Sequence, residues 1–179
     1  MGALTIPSGT LDGLLGGAAA SSGGMTLLST TTLSGASTTI SGISGSYNSL
    51  YVLAYGATWS GSGNLQVKPN GDGSLFAYIR TYYDGSATAT DGGGGSTIQT
   101  GLNTNNGTNV VAIQIDNYTS TSNFKPVILR NGSTNSSSVG NAYFAAGAIR
   151  TNSAITSLEF VQNSSANFTG GTVLLYGVK

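Results

Sequence analysis

The sequence contains neither cysteine nor histidine. Without cysteine there are no disulfides and no thiolate metal sites, so stability cannot depend on the redox compartment. Without histidine as well, Ser/His/Asp and Cys/His catalytic arrangements and His-based zinc sites are excluded. Charge is equally scarce: six cations and six anions in 179 residues, with a formal net charge of zero. Six dispersed cations build no basic patch, which sets aside nucleic acid and anionic membrane as partners. The first cation is Lys68, and Leu11, Leu14 and Leu15 are interrupted by Gly13, Gly16 and Gly17. A secretory signal, with its cationic start and unbroken apolar stretch, is therefore not expected. No apolar run approaches the ~20 residues of a membrane-spanning helix.

What is present is Gly, Ser, Thr, Asn and small apolar residues. Hydrophobic residues reach 39%, too many for a disordered chain, and they fall in strand-length blocks. Strands are expected at residues 25–33, 48–55, 64–68, 75–83, 109–116, 124–130, 139–149, 155–161 and 171–178, from β-branched and aromatic content and period-2 alternation. Asn70-Gly71 between residues 64–68 and 75–83 predicts a hairpin with positive φ at the turn. Residues 91–95, Asp followed by four glycines, predict a flexible loop. Pro126 predicts an edge position or a bulge, and Asn131-Gly132 a turn. Roughly eight to ten strands and no helix make the fold class all-β. The expected architecture is a single antiparallel β-sandwich, jelly-roll-like, over residues 25–179.

Residues 1–24 read as an extended N-terminal arm, broken by Gly and Ser and without a sustained period. Leu4, Ile6, Leu11, Leu14 and Leu15 are too apolar for a solvated linker; a floppy leader and a docking arm that orders on a partner both stand open. Full burial of five such side chains contributes about 7–15 kcal/mol. Ordering about twenty backbone residues costs about 1–2 kcal/mol each, which is more. A docking arm would thus need strand addition to a partner's edge, or avidity from several arms per oligomer.

Candidate chemistry is thin. Glu159 is the sole glutamate, and Asp12, Asp72, Asp84 and Asp91 each precede glycine, where Asp stabilises a turn through its own backbone. A glycosidase pair such as Asp72 with Asp84, or a cation at Asp72 and Asp91, has no supporting motif. The run Gly92 to Gly95 lacks the lysine of a phosphate-binding loop. No catalytic residue, metal site or cofactor is expected, and the chain reads as non-enzymatic. The aromatic residues offer more. Trp59 falls in a predicted loop, and Tyr82, Tyr83 and Asp84 end a predicted strand. An exposed Trp with neighbouring Tyr and Asp stacks on and hydrogen-bonds a sugar; the alternative is that Trp59 plugs the end of the sandwich or a subunit interface.

The C-terminal stretch from Ala154-Ile155-Thr156-Ser157-Leu158-Glu159-Phe160 through Asn167-Phe168-Thr169-Gly170-Gly171-Thr172-Val173-Leu174-Leu175-Tyr176-Gly177-Val178-Lys179 carries a resemblance. It resembles the final hairpin of jelly-roll domains in tailed-bacteriophage surface proteins, which often end in F-x-x-G-x-x-x-L-Y-G. Leu50-Tyr51-Val52-Leu53, Asn64-Leu65-Gln66-Val67 and Asn70-Gly71-Asp72 look like earlier strands and a turn of the same domains. The resemblance implies a structural protein of the virion surface, assembled in the host cytoplasm and usually a homotrimer. It leaves several roles open. The chain would be a capsid decoration (cement) protein, its arm lying on the major capsid protein, or a receptor-binding tip domain of a tail fibre or spike that recognises host-surface glycan. A glycoside-active enzyme or a secreted carbohydrate-binding module is the third class.

Overall fold

The computed structural model describes residues 24–71, 76–103, 106–134, 139–164 and 166–179. The predicted arm, with Leu4, Ile6, Leu11, Leu14 and Leu15, lies outside the described residues. Among the described residues there are twelve β-strands and no helix: β1 (Met25–Thr32), β2 (Ser37–Ser41), β3 (Ser49–Trp59), β4 (Leu65–Pro69), β5 (Phe76–Tyr83), β6 (Thr88–Gly95), β7 (Ile98–Gln99), β8 (Asn109–Asp116), β9 (Lys125–Thr134), β10 (Gly140–Ile149), β11 (Ser157–Gln162) and β12 (Phe168–Val178). They form two antiparallel sheets, an eight-stranded one ordered β1-β12-β3-β8-β9-β10-β5-β6 and a four-stranded one ordered β2-β11-β4-β7. The β-sandwich expected from the alternating pattern is therefore present.

The chain crosses between the sheets repeatedly, and two strand pairs interrupt that crossing. Setting aside β5 and β6, and β9 and β10, leaves β1-β12-β3-β8 facing β2-β11-β4-β7. The four remaining strands continue the large sheet as β9-β10-β5-β6.

Because paired residues point to the same side of a sheet, the register defines rows along the inner face. One row runs Leu175, Val52, Ile113, Leu129, Ala145, Arg80 and Asp91; the next runs Val173, Ala54, Val111, Asn131, Tyr143, Tyr82 and Ala89. Each row begins aliphatic and turns polar or aromatic by β5, although Ala89 closes the second. Leu175, Val52, Ile113 and Leu129 are buried, whereas Arg80 is half-buried and Asp91 exposed. Across from the aliphatic half, Leu65, Val67, Leu158 and Phe160 of the small sheet join the same core. Burial fades from β10 to β6, and the composition of the rows follows it. Each fully buried aliphatic side chain contributes about 1.5–3 kcal/mol to this core.

Four local expectations are corrected. Asn70 and Gly71 do adopt positive φ, at 56° and 69°, but β4 and β5 belong to different sheets and form no hairpin. Asn70 is tied to the small sheet: its Oδ1 accepts from Thr156 N at 2.8 Å and Ser157 N at 3.2 Å, and its Nδ2 donates to Ala154 O at 2.9 Å. The turn thus fastens β4 to the start of β11. Residues 91–95 are not a loop but the end of β6, paired with β5 from Phe76↔Gly95 to Tyr83↔Thr88. Tyr78 of β5 lies against Gly93, where a Cβ would meet its hydroxyl at 3.3 Å. Pro126 lies in a central strand. It is the second residue of β9, and pairing with β8 begins only at Val127, so its missing N–H removes no bond to that neighbour. Asn131-Gly132, expected as a turn, sits within β9 because β8 and β10 pair through it on both sides.

Candidate functional site

Strand β5 alternates so that Phe76, Tyr78, Arg80 and Tyr82 share the inner face. Arg80 stands opposite Asp91, and the two form a forked ion pair: Nε donates to Oδ1 at 2.5 Å and an amino group donates to Oδ2 at 2.8 Å. The guanidinium carbon lies 5.4, 5.3 and 5.8 Å from the ring centres of Tyr78, Tyr82 and Tyr143. Arg80 is thus a cation between three tyrosines with its charge answered by a carboxylate. The pairing holds the guanidinium above its ordinary pKa and the Asp91 carboxyl below its own.

Beside this pair lies a cleft of about 290 Å³. One wall comes from the large sheet, with Arg80, Tyr82, Asn131, Asn141 and Tyr143; the other comes from Asn64, Gly101 and Asn103; Tyr83 and Asp84 stand at its rim. The two walls are joined by Asn131, whose Nδ2 donates to Thr100 O at 2.8 Å. Gly101, at φ +70°, lies against the Tyr143 ring so closely that a Cβ would come within 2.2 Å of it. Only glycine combines that φ with that approach. Burial pushes the Tyr143 hydroxyl above its ordinary pKa, and Arg80 opposes the shift.

Two amide oxygens of this wall, Asn131 Oδ1 and Asn141 Oδ1, are buried and accept no hydrogen bond. Such a group costs about 1–3 kcal/mol, and the two stand in adjacent rows of this wall. Asp84 behaves differently. Its Oδ1 accepts from Ala87 N at 2.9 Å, Ser86 Oγ at 2.8 Å and Ser86 N at 2.9 Å. These bonds, that from Ala87 foremost, lower its pKa to about 2, so it is a carboxylate at neutral pH. Tyr143 is 4% exposed, so the groups the cleft presents to a ligand are the Tyr82 and Tyr83 side chains, the Asn64 and Asn103 amides and the Asp84 carboxylate, the kinds of group that stack on and hydrogen-bond a sugar.

Of the four residues read as a glycan site, the structure brings Tyr82, Tyr83 and Asp84 together at this cleft. Trp59 does not join them. It is the last residue of β3, not part of a loop, and is 4% exposed, paired with Phe168 in the core. The reading of Trp59 as a plug at the sandwich end is the one its burial fits. Arg80, Asn64, Asn103, Asn131, Asn141 and Tyr143 were missed. Asn131-Gly132 reads locally as a turn, and nothing local marks Tyr143 as its neighbour. Asp72 lies outside the described residues, and Asp91 is engaged by Arg80 on a strand instead of stabilising a turn.

The outer face of the same strands is unusual. Ile79, Ile128 and Phe144 are 62%, 57% and 58% exposed, and Ala146 stands between Ile128 and Ile79 by register. Together they form an apolar strip across β9, β10 and β5, of the kind that usually meets another surface.

Comparison with protein-family models, with curated proteins and with solved structures finds no match in any of the three.

Proposed function

We propose that this chain is a non-enzymatic surface protein of a virus particle, most simply of a tailed phage, that recognises host-surface glycan through the cleft of Tyr82, Asn131 and Tyr143. The architecture in this reading is a jelly roll with two inserted strand pairs. The facing orders β1-β12-β3-β8 and β2-β11-β4-β7 support it, since four strands over four with repeated crossing is the jelly-roll plan. The observation that carries the glycan reading is the cleft, where Tyr82 and Tyr83 converge with the Asn64 and Asn103 amides and the Asp84 carboxylate. Stacking and one polar contact together are worth about 1–3 kcal/mol. Tyr82→Ala is accordingly expected to weaken binding to host envelope polysaccharide about tenfold in titration calorimetry, with the melting temperature monitored alongside. Unchanged affinity in the folded variant would remove the cleft from the proposal.

The second reading, capsid decoration through residues 1–24, is favoured by the apolar strip of Ile79, Ile128 and Phe144. An arm that burial alone cannot hold is helped by several copies acting together, and in this reading the strip joins the copies of a homotrimer on the major capsid protein. The double substitution Ile128→Ser with Phe144→Ser is expected to convert a trimer to monomers in sedimentation and to abolish cosedimentation with undecorated shells. A monomeric native chain would sink this reading.

A further inference from the structure

We infer that the cleft selects an uncharged, hydroxyl-rich saccharide of one or two rings over acidic sugars. The inference rests on the glycan reading and concerns which sugars the site admits.

Charge decides the first half. Arg80 is the cation among the lining residues, and both Asp91 oxygens already hold it. An incoming sugar carboxylate would have to displace an intramolecular, bidentate partner whose strand register keeps it opposite. Asp84 at the rim is ionised above a pH of about 2. Arg80, Asp91 and Asp84 together therefore carry one positive and two negative charges, so an acidic ligand meets net repulsion.

Hydrogen bonding decides the second half. Asn131 is 6% exposed, and its amide cannot turn over without losing the Nδ2 bond to Thr100 O. Its Oδ1 is fixed as an acceptor, and Asn141 Oδ1 in the adjacent row is a second acceptor without a donor. Both are buried in the cleft wall, so a ligand hydroxyl would reach them only after a small rotation of the amide side chains. A sugar hydroxyl donates to such an acceptor, whereas a carboxylate in its place only accepts and adds no donor. The volume of about 290 Å³ lies at the small end of ligand sites, which span about 300–1,000 Å³. That suits one or two rings between the Tyr82 side and the Asn64–Asn103 wall.

The test applies the full chain to an array holding neutral, uronate-containing and sialylated glycans, followed by calorimetry on matched neutral and uronate oligosaccharides. Expected are signals on neutral glycans and at least tenfold weaker binding of the matched uronates. Asp84→Asn, which keeps an Oδ1 acceptor for the turn, is expected to narrow that gap by strengthening uronate binding, and Asn131→Leu to weaken the neutral ligand. Strongest signals on uronates or sialosides, or an Asp84→Asn variant with an unchanged ratio, would overturn the selectivity and leave glycan recognition standing. No signal on any glycan would overturn the glycan reading itself, and this inference with it.

Discussion

Replacing Lys125 with methionine is expected to lower the unfolding free energy by about 3–5 kcal/mol, the scale set by several charge-assisted hydrogen bonds lost together. Lys125 opens β9 and is fully buried, with Ile149 as its register partner. Its Nζ donates to three backbone carbonyls, Ser120 O at 2.7 Å, Asn123 O at 2.9 Å and Thr151 O at 2.7 Å. Three donors on an ammonium meet three acceptors, and the segments before β9 and after β10 are drawn onto one point. Burial pushes the amine below its ordinary pKa, the expected response of a charge taken from water. Methionine keeps the apolar stem and abandons the three carbonyls. Denaturant titration with an unchanged slope would report the loss as a shifted midpoint. A loss below about 1 kcal/mol would mean that water replaces the ammonium, and that Lys125 does not hold these segments.

Trp59→Ala is expected to cost about 3–5 kcal/mol of stability, the range for emptying a buried Trp site, while changing glycan affinity less than twofold in the folded protein. Trp59 ends β3 against Phe168, both 4% exposed, and β12 shifts register just beyond that pair. The residue lines no part of the cleft. Trp59 is the sole tryptophan, so unfolding of the variant is followed by circular dichroism, and binding by calorimetry below its lowered midpoint. Loss of binding at full foldedness would return Trp59 to the ligand site. Loss of fold alone establishes it as core.

These two side chains mark how far local sequence could be read. The flanking Ser60-Gly61-Ser62-Gly63 makes Trp59 read as a loop residue and a glycan candidate, yet the strand runs up to it because β12 pairs there. Lys125 carried no signal at all. A lysine beside a proline at a strand start reads as solvated, and only the meeting of residues 120, 123 and 151 around it makes burial tolerable. Tyr82, Tyr83 and Asp84 were legible as candidates since they are adjacent in the chain. Asn131, Asn141 and Tyr143 were not, because they reach the same cleft from strands whose pairing no local pattern specifies.

The all-β class follows from the sequence by itself: period-2 blocks of β-branched and aromatic residues set strands wherever one face is buried, and Gly and Asn set where the chain can reverse. The lack of histidine and cysteine likewise excludes whole classes of chemistry without any structure. Strand partners are another matter. Asn70-Gly71 supplied the positive φ it promised, but the amide of Asn70 bonded to β11, and the expected hairpin became a crossing between sheets. The glycines of β6 became a strand because β5 pairs with them from Ile79↔Gly92 to Phe76↔Gly95. Backbone conformation is a local property and can be read from a few neighbouring residues. Which strands pair, and hence which polar groups share a cleft, depends on contacts between residues far apart in the chain, and the tertiary structure alone decides it.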